Sequence, residues 1–138
     1  IILKKYSPIG EMSTFAKQYA ESLAQVSGCT ALIADRDQII AAAGKGKGLA
    51  GKALGREMEE LLERREILMA CRGEKGFVEP AAEGAEGCRA EAVCPIICEG
   101  DVIGAVILLE NDKKTGMGEV ERKLIQSAAG FLGRQMEQ

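Results

Sequence analysis

At 138 residues the chain is sized for one hydrophobic core, and 46% hydrophobic with 28% charged residues is the balance of a folded globular domain. A net charge of −3 supplies no positive field, which disfavours direct binding of nucleic acid by this segment. The longest strongly apolar stretch, 102–109, falls far below the ~20 residues a membrane-spanning helix requires, so no membrane partner is expected.

Residues 1–8 alternate weakly as far as Ser7 and Pro8, where proline holds its predecessor in extended backbone. They read as a connector or the final strand of a preceding module, with one domain over 9–138. The opening carries neither an initiator Met nor a secretory leader pattern, which suggests a cut through a longer gene product.

From Ser13 the pattern turns helical: Phe15, Tyr19, Leu23 and Val26 recur along one stripe, with Ala16 and Ala20 beside it. Ser13 suits the N-cap and Gly28 the stop. Residues 29–35 and 38–43 are two short apolar runs joined by Arg36 and Asp37, the spacing of a β-hairpin. The glycine-rich stretch 44–51 is a loop. It matches neither phosphate-binding fingerprint, so a flexible connector is the simpler reading.

Leu54, Met58, Leu61 and Leu62 predict a second amphipathic helix ending near Glu66, its wetter side carrying Glu57, Glu59, Glu60 and Glu63. Between Cys71 and Cys88, glycines and Pro80 predict irregular structure with a short strand near Phe77 and Val78. Residues 89–98 and 102–110 form the strongest hairpin signal, with Gly100 free to take the positive φ of a tight turn. The second of these runs is apolar on both faces, which predicts a central strand covered on each side. After a polar turn at 111–118, residues 119–138 close the chain as a long helix. Its apolar arc, from Val120 through Leu124, Ile125, Ala128, Phe131 and Leu132 to Met136, is wider than one core face needs.

The chain has no histidine, which removes Ser-His-Asp, Cys-His and His-ligated metal chemistry. Five cysteines, an odd number in a chain large enough to fold without staples, read as reduced thiols in a cytoplasm. Cys94 and Cys98 on one strand would lie ~13 Å apart, beyond disulfide reach. No metal site is expected, because neither paired Cys-x2-Cys spacing nor a histidine partner is present. The cysteines therefore read as small hydrophobes, with redox sensing as the alternative. The carboxylate pairs Glu59–Glu60 and Glu119–Glu121 read as solvated helix charge. No catalytic residue is assigned.

The order is helix, hairpin, helix, irregular region, hairpin, helix. It is that of an α+β domain of the GAF or PAS-like kind, an antiparallel sheet with its N- and C-terminal helices packed together on one face. Strand alternation offers Ile33 and Asp35 as ligand-binding candidates, with Phe77, Cys94, Pro95 and Ile96 near the irregular loop. Which sheet face would hold a ligand is left open. Phe15, Tyr19, Leu124, Ala128, Phe131 and Leu132 are candidates for self-association through the terminal helices, with Ala128, Ala129, Gly130 and Gly133 letting a second helix approach.

Residues 1–9 and the terminal helix from Met117 to Gln138 resemble the C-terminal domain of the stage V sporulation protein T family of AbrB-like transcription regulators. Residues 33–37, 54–65 and 95–106 fit as well, so the resemblance spans the chain, while 44–53 and 70–90 differ freely. It implies a GAF fold, a separate N-terminal swapped-hairpin domain that contacts DNA, dimerisation through the terminal helices, and a role in forespore transcription. The full-length regulator would be cytoplasmic and nucleoid-associated. It implies no catalytic motif and no known cofactor, leaving an unidentified small-molecule effector as the ligand to expect. The cysteine richness is not part of the family pattern. Three functions compete: a ligand-sensing regulatory module, a ligand-independent dimerisation device, and a cysteine-based redox enzyme or sensor of the free methionine sulfoxide reductase type using Cys88 or Cys94.

Overall fold

The computed structural model describes residues 13–111 and 117–137. The connector expected at 1–8 and most of the polar turn at 111–118 lie outside them. The elements in chain order are helix α1 (Ser13–Ser27), strands β1 (Thr30–Ala34) and β2 (Ile39–Ala43), helix α2 (Arg56–Glu63), strands β3 (Leu68–Cys71), β4 (Ala90–Cys98) and β5 (Asp101–Glu110), and helix α3 (Glu119–Met136). A single turn of 3-10 helix, Lys47–Leu49, interrupts the glycine-rich loop.

The five strands form one antiparallel sheet in the order β2-β1-β5-β4-β3. β5 lies at its centre, as its two-sided apolar sequence demands, because a strand covered on both faces has no wet side to place polar residues on. The β4–β5 hairpin turns at Glu99 and Gly100, both with positive φ, the backbone that matches the twist of the flanking strands. Gly104 sits where β5 passes β1, and a Cβ there would run into the Ala34 carbonyl.

One sheet face carries α1 and α3 over a core built from Ala31, Ile33, Ala92, Cys94, Val106 and Leu108. The other carries α2, whose Met58, Leu61 and Leu62 meet Leu32, Val93, Ile107 and Leu109. The chain between β3 and β4 crosses this second face as a strap that adds Val78, Ala81, Ala85 and Cys88.

Three expectations need correction. The short strand is β3 at Leu68–Cys71, paired with β4, and Phe77 and Val78 lie in the strap without strand structure. The buried stripe of α1 is Ala16, Ala20 and Leu23, with Val26 exposed, because the alanines let the helix backbone approach the sheet closely. Three of the four small residues of α3 serve the chain's own sheet: Ala128 and Ala129 are buried under the helix, a Cβ on Gly133 would meet the Ile97 carbonyl of β4, and Gly130 alone of the four faces open space.

Candidate functional site

The densest polar constellation among the described residues lies where the strap meets the sheet. Arg72 leaves the end of β3 with its amide still donating to the Arg89 carbonyl at 2.7 Å, which starts its side chain across the strap. Its Nε donates to the Cys88 carbonyl at 2.7 Å and a terminal nitrogen to the Ala85 carbonyl at 3.1 Å. The same guanidinium grips Glu79 with both forks, at 2.5 and 3.2 Å, and lies 4.6 Å over the Phe77 ring. Bidentate pairing of this kind needs the planar fork of arginine and gives orientation as well as energy. One side chain thus ties both ends and the middle of the strap.

Beneath it stands Glu91, the most deeply buried ionisable residue among those described. It comes from β4 opposite Ala70 and Leu109, and its Oε1 accepts a hydrogen bond from the Val78 amide at 2.8 Å. Oε2 has no hydrogen-bond partner among the described residues. Burial pushes this carboxyl up to about 7 and nearby Glu79 adds to the rise, while the Val78 amide and Arg72 oppose it. The neighbouring Cys88 thiol, buried and donating to the Ala90 carbonyl at 3.2 Å, is pushed up to about 11, first by burial and then by Glu91. A thiol held that high is a poor nucleophile at neutral pH.

The sequence candidates fall in different places. Ile33 and Cys94 share a row across the sheet, both opposite Val106, and with Ile96 they face the core under α1 and α3. Pro95 lies past the end of β3, where the outer edge of β4 has no strand partner among the described residues and a missing N–H costs no ladder bond there. Asp35 is buried because it builds the β1–β2 turn, its Oδ1 accepting from the Asp37 and Gln38 amides at 2.8 Å each. Phe77 is the one candidate in the strap. The sheet therefore gathers Ile33, Cys94 and Ile96 but keeps Phe77 on the opposite side.

Two surface crevices border other residues. One of about 150 Å³ runs past Cys29, Thr30 and Lys45, and one of about 260 Å³ lies among Arg36, Glu59 and Glu63. Sequence reasoning missed Arg72, Glu79 and Glu91. The signal for the last was present, a lone acid within the otherwise apolar run 90–97 of a strand covered on both faces.

On the other sheet face, Phe15, Tyr19 and Phe131 form an aromatic cluster between α1 and α3, with ring centroids 5.6 to 6.2 Å apart. Phe131 remains 41% exposed and Val120 67% exposed, with Leu124 half-buried between them in sequence. Ala128 and Leu132 are buried beneath the helix, so the accessible part of the self-association set is Phe15, Tyr19, Leu124 and Phe131.

The same architecture occurs in solved structures of low sequence identity. The GAF domain of an Acinetobacter phosphoenolpyruvate-protein phosphotransferase superposes with a TM-score of 0.73 at 12% identity, covering 96% of this chain and 84% of that one. The cofactor-binding GAF domain of the nutrient sensor CodY from Clostridium difficile gives 0.67 at 14%, covering 87% and 83%. A type II free methionine-R-sulfoxide reductase from Thermoplasma acidophilum gives 0.63 at 13%, covering 91% and 94%. The sheet order, the paired terminal helices and these likenesses define a GAF-fold domain. Within that fold, residues 11–137 match the model for the stage V sporulation protein T C-terminal domain, transcription factor. Stage V sporulation protein T of Bacillus subtilis (strain 168) is 40% identical over 139 aligned residues, which span the whole of this chain and 76% of that protein. The chain belongs to this family of sporulation transcription regulators. Among the described residues no helix is long and apolar enough to cross a membrane.

Proposed function

We propose that this domain is the small-molecule-sensing and self-associating half of a cytoplasmic transcription regulator, and that DNA is held by a separate N-terminal domain of the AbrB-like kind. The observation that carries the assembly reading is the apolar stripe of α3. Val120, Leu124 and Phe131 recur at i, i+4 and i+11 on one side of the helix, continuous with Phe15 and Tyr19 of α1, and a single copy leaves much of it in water. Light scattering of the wild-type domain should give a dimer or larger species, and Phe131→Glu a folded monomer, its far-UV circular dichroism unchanged and its melting temperature lowered by the lost ring contacts with Phe15 and Tyr19. Equal masses for the two would sink this reading.

Sensing is supported by the strap, a segment held over one sheet face by side-chain contacts around a buried carboxyl. A thermal-shift screen of metabolites against the full regulator, followed by DNA-affinity measurement with each hit, tests it. A ligand counts only if it distinguishes two states of the protein. The ligand-independent dimerisation device is favoured by the filling of the α2 face with Leu49, Met58, Val78 and Ala85. It would stand if no metabolite bound while the domain still raised DNA affinity by pairing the DNA-binding halves.

Redox catalysis has weaker support. Cys88 and Cys94 belong to the cores on opposite faces of the sheet, and burial pushes both thiols up to about 11. Attack by one and resolution by the other would need the sheet removed from between them. Incubation with free methionine sulfoxide and a thiol reductant should give no turnover, and turnover abolished by Cys88→Ser would reverse that expectation.

A further inference from the structure

We propose that Glu91 is a proton-operated latch for the strap 72–88: the protonated carboxyl keeps the strap seated on the sheet, and ionisation releases it. The Val78 amide has no strand to pair with, and the Glu91 Oε1 takes the place of a ladder partner. The latch is a single hydrogen bond, since Oε2 has no partner among the described residues. A neutral carboxyl tolerates such a place at modest cost, whereas a buried carboxylate needs either a committed cation or several donors.

The charged and titratable groups that face Glu91 come from the strap itself. Arg72 is the available cation, but both of its forks are engaged by Glu79 and its remaining donors by the Cys88 and Ala85 carbonyls. Glu79 repels a carboxylate at position 91, and the Cys88 thiol stays neutral. The cross-strand neighbours Ala70 and Leu109 carry no charge, and α2 turns Met58, Leu61 and Leu62 to this face. Ionised Glu91 therefore finds its missing donors only in water, and water reaches it when the strap lifts. The Arg72 bonds to Glu79, Ala85 and Cys88 run within the strap and travel with it, and its attachment to the body is beside α2, where Ala81 bridges Leu54 and the Ala82 amide donates to the Ala53 carbonyl at 3.0 Å. The strap is then hinged at that point and free near Val78.

Amide hydrogen exchange of the wild-type protein from pH 5 to 8.5, corrected for the intrinsic pH dependence of exchange, reads the latch directly. A carboxyl that is ordinary when open and raised when closed makes opening at residues 78–88 increase up to about tenfold per pH unit between about 5 and 7, then level. Glu91→Gln keeps an acceptor for Val78 and removes the proton, so its profile should be flat. Glu79→Gln frees Arg72 and removes the repelling charge, which should move the midpoint to lower pH. A flat wild-type profile overturns the latch, and so does a rise that persists in Glu91→Gln. Exchange at 78–88 that follows global unfolding in urea overturns it as well, because the opening would then not be local.

Discussion

Arg72 illustrates how much order one side chain can impose. It bonds two main-chain carbonyls, a carboxylate and an aromatic face, and only 26% of it remains exposed. Arg72→Lys keeps the charge but loses the fork, and we expect a loss of about 2 kcal/mol in urea unfolding, the range for hydrogen bonds to charged groups. Recovery of full stability in that variant would show that a point charge suffices. Glu91 makes a second prediction at this scale. Its folded value lies near 7 and above the ordinary carboxyl range, so the folded state holds the proton more tightly than the unfolded one. Its contribution is complete below the unfolded value, declines as pH rises, and levels above about 7, a loss of about 3 kcal/mol. Urea unfolding at pH 5 and pH 8 should show this decline in wild type relative to Glu91→Gln, and parallel pH dependence in the two proteins would refute it.

The glycines of α3 separate two roles on one helix. Gly133 touches the sheet, and Gly133→Ala should destabilise by about 1–3 kcal/mol through overpacking against Ile97. Gly130 faces open space, and Gly130→Ala should stabilise by about 0.5–1 kcal/mol through helix propensity. Melting curves of the pair decide it, and a shift of the same sign in both would contradict the packing described. Most elements were legible in the sequence because their signals are local. The hairpins announced themselves by paired apolar runs around Asp37 and Gly100, and the helices by 3.6-residue spacing. β3 was not legible, since Leu68, Met69, Ala70 and Cys71 show no alternation and acquire strand geometry only from β4. Phe77 and Val78 have strand propensity, but Gly76 and Pro80 flank them and the Val78 amide finds a side chain instead of a strand. In α1 the rows 15, 19 and 16, 20 are adjacent, so spacing alone could not say that the alanines face inward.

Across the whole molecule the two sheet faces are unequal. One is closed by two long helices, the other by the short α2 and a strap with little regular structure. Hydrogen exchange should therefore be slowest in β5 and its partners β1 and β4, and faster in β3 and the strap. A strap as protected as β5 would contradict this ranking. Strand alternation offers Ile33 and Asp35, and nearness to the irregular loop offers Phe77, Cys94, Pro95 and Ile96, but neither signal reveals which face the two terminal helices cover. That is why Ile33, Cys94 and Ile96 emerged as core. The long-range contacts of Arg72 with Glu79 and of Glu91 with Val78 depend on the path of an irregular segment, for which no periodicity exists to read.

The central position of β5 has a kinetic consequence. β1 and β2 can form a hairpin early, but β1 is flanked on its other side by the last strand of the sheet, with Thr30 opposite Leu109. Until β5 has been synthesised, Leu32 and Ile33 have no neighbour on that side and neither core can close. Folding must then join distant parts of the chain, and pairings of such long sequence separation slow folding. A nascent chain stalled before residue 101 would expose an unpaired apolar strand edge, the state in which this domain is most open to aggregation.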